Sequence, residues 1–154
     1  YCRNLSRRYA DQAEAELRVA IAAAPNEPVA YNNLADLLLE EGRTTEAKSL
    51  IEQALSLSPR NRGPYLDTLG WALYLLGAHG QALTRLDEAV ALEPTPTRLY
   101  HRALVYAALG QVPRARRDLD EARTYNPDPA LAHKIRRALD ELLGEYRSPS
   151  APPM

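Results

Sequence analysis

The chain has 154 residues, enough for one domain with a sizeable apolar core. Its 19 Lys and Arg stand against 20 Asp and Glu, which excludes the strong field that non-specific binding to nucleic acid or anionic membranes requires. The single cysteine, Cys2, excludes an internal disulfide, and no apolar run approaches the ~20 residues that span a bilayer.

The charge is unevenly placed. From Asp11 to Ser58 nine acidic residues face three basic ones, whereas from Thr97 to Arg137 nine basic residues face four acidic ones. An end-to-end dipole is expected, although a mixed, solvated surface accounts for the same counts. The chain opens on Tyr1 rather than Met, so an excised or processed piece of a longer protein is expected.

Residues 1–146 read as a single all-α domain. Within it, residues 1–27 form a partial unit. The stretch AEAELRVAIAAAP places Ala13, Leu17 and Ala20 at helical spacing before Pro25, as a second helix would whose first partner is largely missing. An uncovered apolar face is expected at that end.

Three full units follow, 28–61, 62–95 and 96–128. Pro25, Pro59, Pro94 and Pro127 each close an apolar run, in steps of 34, 35 and 33 residues. A second proline follows each of them: Pro28, Pro64, Pro96 and Pro129. A proline just after a helix blocks its continuation, and a proline in a first turn suits a helix start. Thr95 and Asp128, just before Pro96 and Pro129, are candidate N-caps. Gly42, Gly77 and Gly110 divide the units, because glycine readily takes the left-handed conformation that ends a helix. Each unit is therefore two helices of about 12–14 residues. Neither helix can bury its apolar face alone, so consecutive units must stack.

The columns agree when the units are aligned. Leu34, Leu69 and Arg102 share one column, followed by the small Ala35, Gly70 and Ala103 and then by Leu38, Leu73 and Tyr106. In the second helices Ala47, Ala82 and Ala115 align, then Ile51, Leu86 and Leu119, then Ala54, Ala89 and Ala122. Small residues let helices approach closely while large ones fill the space between. Residues 129–144 form one more helix, with Leu131, Ile135, Leu139 and Leu142 on one side and Arg136, Arg137 and Asp140 on the other. That stripe suits a capping helix. The tail RSPSAPPM, residues 147–154, is expected to be disordered.

With these columns and closing prolines the chain resembles the tetratricopeptide repeat family over about residues 28–129. The large aromatic near the start of the family's unit is here Tyr31, Leu66 or Leu99, and Arg102 replaces the usual leucine. The resemblance implies a right-handed α-solenoid of antiparallel helix pairs whose first helices line a concave groove. Carried onto this sequence, the groove columns hold Asn32, Asn33, Asp36 and Leu39, with Glu40 at their edge. They continue with Asp67, Thr68, Trp71, Tyr74 and Leu75, and then with Tyr100, His101 and Leu104.

Helical rotation of about 100° per residue puts Trp71 on a different stripe from Leu66, Leu69, Gly70 and Leu73. Trp71 therefore either faces the groove or closes the seam between neighbouring first helices, and a partly buried ring would satisfy both. Rings beside amides and carboxylates suit peptide recognition, because rings give desolvated area and amides hold an extended backbone. Family members that grip C-terminal carboxylates use Lys, Arg and Asn in these columns. Only Asn33 matches that set here. The expected partner is thus a neutral to basic, apolar protein segment.

Other chemistry finds little support. His79, His101 and His133 match no metal-ligand spacing and read as surface residues, His101 being set apart by its groove column. No phosphate loop or nucleophile motif is present. Asp87–Glu88 and Asp120–Glu121 read as solvated outer faces. The arginines of PRARRDLDEAR lack interleaved aromatics and are offset by nearby acids, so nucleic acid is not expected. No enzyme activity, cofactor, metal or membrane insertion is expected. The leading reading is a protein-interaction module. The alternatives are a spacer or self-association segment of a larger envelope or multi-domain protein, working through the open N-terminal face, and a regulatory domain of a larger enzyme or transcription factor. Arg in preference to Lys, with Ala and Leu abundant, suggests a GC-rich bacterial source.

Overall fold

A computed structural model describes residues 2–58 and 60–146, with side chains from 7 to 144 apart from 59. Eight helices make up the described residues: α1 (Cys2–Ala23), α2 (Pro28–Glu40), α3 (Thr44–Leu57), α4 (Gly63–Leu75), α5 (His79–Leu92), α6 (Pro96–Ala108), α7 (Val112–Thr124) and α8 (Pro129–Tyr146). Pro59 and the 147–154 tail lie outside the described residues.

Local chemistry sets the boundaries. Gly42, Gly77 and Gly110 all adopt positive φ, between 72° and 80°. Each turn closes with the same pair of hydrogen bonds. Arg43, Ala78 and Gln111 donate their N–H to Leu38, Leu73 and Tyr106 carbonyls, while the glycines donate to Leu39, Tyr74 and Ala107. This is the Schellman arrangement that satisfies the last carbonyls of a helix. The two expected N-caps are also formed. The Thr95 hydroxyl accepts from the Arg98 N–H at 3.2 Å, and Asp128 Oδ1 accepts from the N–H groups of Ala130 and Leu131 at 2.9 and 3.0 Å. In α1, Arg8 occupies the glycine column and the helix runs on without a break.

Helices pair as α2–α3, α4–α5 and α6–α7, and each pair packs on the next. The even-numbered helices also touch in order, α2 on α4, α4 on α6 and α6 on α8. Among the described residues the backbones of the odd-numbered helices stay apart, α1 and α3 being linked by the side chains of Arg18 and Glu46. The stack therefore curves with the even helices on its shorter, inner wall, and this right-handed α-solenoid curvature makes that wall concave.

The core runs through the stack as two clusters, with Leu83 packed against both. Leu34, Leu38, Ile51, Ala54, Leu73 and Leu86 form its first part, and Leu99, Leu119, Ile135 and Leu142 its second. The small column is needed for contact: a Cβ on Gly70 would lie 2.5 Å from Leu86 Cγ. Because α4 is enclosed by α2, α3, α5 and α6, it buries Tyr65, Leu66, Thr68, Leu69, Gly70, Ala72 and Leu73. That accounts for a helix that is apolar on nearly every side.

At the ends the columns differ. Ala47, Ile51 and Ala54 are fully buried on α3, but on α1 Ala13 and Leu17 are only half-buried and Ala20 is exposed. At the other end Arg136, exposed on α8, takes the place of the small column. On the outer side Arg18 and Arg43 bridge Glu14 and Glu46 at 2.6–2.7 Å. Hydrogen bonds from Arg43 and Arg18 hold both carboxyls below the usual glutamate range.

Candidate functional site

The inner wall gathers side chains from α2, α4, α6 and α8. Asp36 on α2 accepts from the Thr68 hydroxyl of α4 at 3.1 Å, and the Asn32 amide reaches the same carboxylate at 3.3 Å. Thr68 also donates to the Pro64 carbonyl at 3.1 Å in its second possible geometry. One step along, Asp67 of α4 meets His101 Nδ1 of α6 at 2.8 Å, with both side chains mostly enclosed. One polar rung thus ties α2 to α4, and a second ties α4 to α6.

Between the rungs lies an aromatic shelf. The Trp71 ring stacks on His101 at 4.5 Å and 17°, and on Tyr74 at 5.1 Å and 22°. Tyr74 leans on His79 at 5.4 Å, and Tyr100 on His101 at 6.0 Å. Offset ring stacking adds about 0.5–1.5 kcal/mol per pair beyond area burial. Trp71 remains half-buried. It packs against His101 across the α4–α6 seam and part of the residue stays accessible, which is compatible with both sequence readings.

Desolvation raises the Asp36 pKa above the ordinary aspartate range, and the charges of Asp67 and Glu40 add to the rise against the Thr68 hydrogen bond and His101. By area Asp36 is exposed. A concave wall permits both conditions, because water reaches the carboxylate from one side only. Burial likewise raises the Tyr100 phenol.

The expected residues do not all present area to a ligand. Leu39 is 9% exposed and belongs to the core, because the last turn of α2 is overlaid by its neighbours. Thr68, 8% exposed, sits behind Asp36 as its hydrogen-bond donor. These two support the wall from behind, a correction to their expected place at its surface. Asn33, Leu75 and Asp36 are exposed, and Asn32, Asp67, Tyr74, Tyr100, His101 and Leu104 are half-buried. Glu40 turns to a separate cleft with Arg7, Asp11, Glu14 and Arg43. His133 is exposed as expected, whereas the other two histidines depart from expectation. His101 is an interior rung, and His79 is half-buried with Nδ1 enclosed and unpartnered.

Two groups of residues carry more than sequence reasoning assigned them. Lys134, Arg137 and Glu141 of α8 join Tyr100 and Leu104 around a cleft of about 270 Å³ that continues the inner wall. Their signal was available, since α8 begins on a proline as α2 and α6 do, but the helix was read only as a cap. Behind the wall Arg102 forks onto Asp118 at 2.7 and 2.9 Å and reaches Asp87 at 3.0 Å. Burial disfavours that cation, but the carboxylates outweigh it and raise the pKa of Arg102 further. Among the described residues no three His, Cys, Asp or Glu side chains are placed to hold a metal, and no helix is long and apolar enough to cross a membrane.

Comparison with known proteins places the geometry. Residues 26–93 match the tetratricopeptide repeat family. FlbA of Caulobacter vibrioides is 32% identical over 101 residues, covering 65% of this chain, which spans only 17% of FlbA. The crystal structure of a thermophilic TPR protein in Thermus thermophilus superposes with a TM-score of 0.74 at 23% identity, over 88% of this chain and 75% of that one. YrrB, described as a TPR protein with an unusual peptide-binding site, superposes with a TM-score of 0.66 at 20% identity, over 94% of this chain and 73% of that one.

Proposed function

We propose that this chain, whose residues 26–93 match the tetratricopeptide repeat family, is a protein-interaction module that holds a segment of a partner protein against its inner wall. The observation that carries the reading is the aromatic shelf, with Trp71 stacked between Tyr74 and His101 yet still partly open. Large rings fixed by their neighbours lose little entropy on binding and offer desolvated area, which makes them the common anchors of interfaces. Asn33, at the exposed edge, supplies an amide for backbone hydrogen bonding. Asp36, with Asp67 close by, favours a neutral to basic partner over an acidic one.

Panning a random peptide library on the folded chain tests this reading. Selected peptides are expected to lose about 2 kcal/mol of affinity to Trp71→Ala and to Tyr100→Ala. Circular dichroism confirms that each variant keeps its helices. Failure to select peptides, or selected peptides indifferent to both changes, would overturn it.

A further inference from the structure

Each of the four inner helices carries a different kind of side chain at its ninth residue. Counted from Pro28, Gly63, Pro96 and Pro129, these are Asp36, Trp71, Leu104 and Arg137. The helices touch in that order, and residues at one helical position on parallel, stacked helices fall in a line. The line runs from a carboxylate, across an indole and an aliphatic side chain, to a guanidinium.

The surroundings accentuate both ends. Asp36 is bonded by Asn32 and feels the charges of Asp67 and, more weakly, Glu40, while the base that acts on it, His101, is already engaged by Asp67. At the far end Arg137 stands with Lys134 at the cleft bordered by Tyr100 and Leu104. Its pairing with Glu141, 3.2 Å away and largely exposed, is of a kind worth little in water and readily exchanged.

We infer that this strip reads the polarity of its ligand: an extended segment carrying a basic side chain at Asp36, apolar residues along Trp71 and Leu104, and a carboxylate at Arg137 and Lys134. The inference rests on the groove reading and adds to it a charge order and a length. Helices pack about 8–10 Å apart, so three steps cover roughly 25–30 Å. An extended chain, rising about 3.3 Å per residue, spans that with eight or nine residues. The carboxylate is that of an Asp or Glu side chain within the segment, the kind of group that Arg137 already pairs with in Glu141.

The test uses two random 12-residue libraries, one displayed with a free C-terminus and one with it blocked, each panned on the full chain. Trp71-dependent peptides are expected to pair Lys or Arg with a carboxylate about eight residues away, with apolar residues between. Enrichment in both libraries is expected, and enrichment confined to the free-end library would overturn a side chain as the source of the carboxylate. Lys134→Glu with Arg137→Glu is expected to weaken these peptides about tenfold, and a peptide whose acid is changed to Lys recovers the loss. Asp36→Lys is expected to act in the mirror sense on the basic residue. Trp71-dependent peptides without the charge pair, or indifferent to both reversals, would sink the strip while leaving the groove reading intact. If no peptide depends on Trp71, the groove reading falls first.

Discussion

Hairpins α4–α5 and α6–α7 share nearly equal helix lengths, the same left-handed glycine turn and the same place in a stack, yet different forces hold their interiors. In α4–α5 the column following Leu69 is bare: Gly70 leaves only enough room for Leu86, and contact between apolar surfaces does the rest. In α6–α7 the column of Leu69 itself holds Arg102, whose guanidinium forks onto a fully enclosed Asp118 and lies 5.6 Å from the Tyr106 ring centroid. A repeat therefore constrains shape more than chemistry. A column tolerates a charge when the facing helix supplies its counter-charge and a ring lies against the charged group.

The comparison is broken most severely by removing one partner of the ion pair. Asp118→Ala leaves Arg102 enclosed with only the exposed Asp87 for company, and is expected to cost about 3 kcal/mol in urea unfolding. Arg102→Leu with Asp118→Leu makes the hairpin resemble its neighbour, and is expected to return stability to within about 1 kcal/mol of the starting chain. If the double variant is as unstable as the single one, the pair is more than a substitute for apolar packing.

A smaller effect tests the other hairpin. Gly70→Ala forces a Cβ against Leu86 and is expected to cost about 2 kcal/mol. Adding Leu86→Val should recover part of the loss, and no recovery would mean that the crowding lies elsewhere.

The smallest effect concerns the inner wall shared by both hairpins. The Asp36 pKa is raised on folding, chiefly by desolvation, so the folded chain holds that proton to higher pH than the unfolded chain does. Its contribution is then fully present below the unfolded value, about 3.9, and is lost as pH rises through the folded value. Asp36→Asn is expected to remove that slope and leave the variant slightly more stable at neutral pH. A variant less stable than the parent at pH 7 would show that the Thr68 hydrogen bond outweighs desolvation.

Much of the architecture was legible because its signals are local and repeated. Gly42, Gly77 and Gly110 end helices by backbone rules that need no tertiary context, and Thr95 and Asp128 cap the helices that follow them. The Leu34 and Leu69 columns could be read because three copies share one spacing. The interior ion pair could not be read in the same way. Asp118 looks like one more solvated acid until α6 is folded against α7, and only Arg102 in a core column hinted that a partner was required. The division of the inner wall was likewise hidden. Periodicity puts Leu39 and Thr68 on the same stripe as Trp71, but how far neighbouring helices overlap that stripe depends on the curvature of the stack.

One consequence follows from the stacking of the chain's only tryptophan. Its indole is sandwiched by the aromatic neighbours that border the proposed docking surface, so its emission spectrum doubles as a gauge built into the molecule. Anything that parts or covers those rings changes the colour and yield of the fluorescence. Occupancy can therefore be followed by light alone, with no label attached.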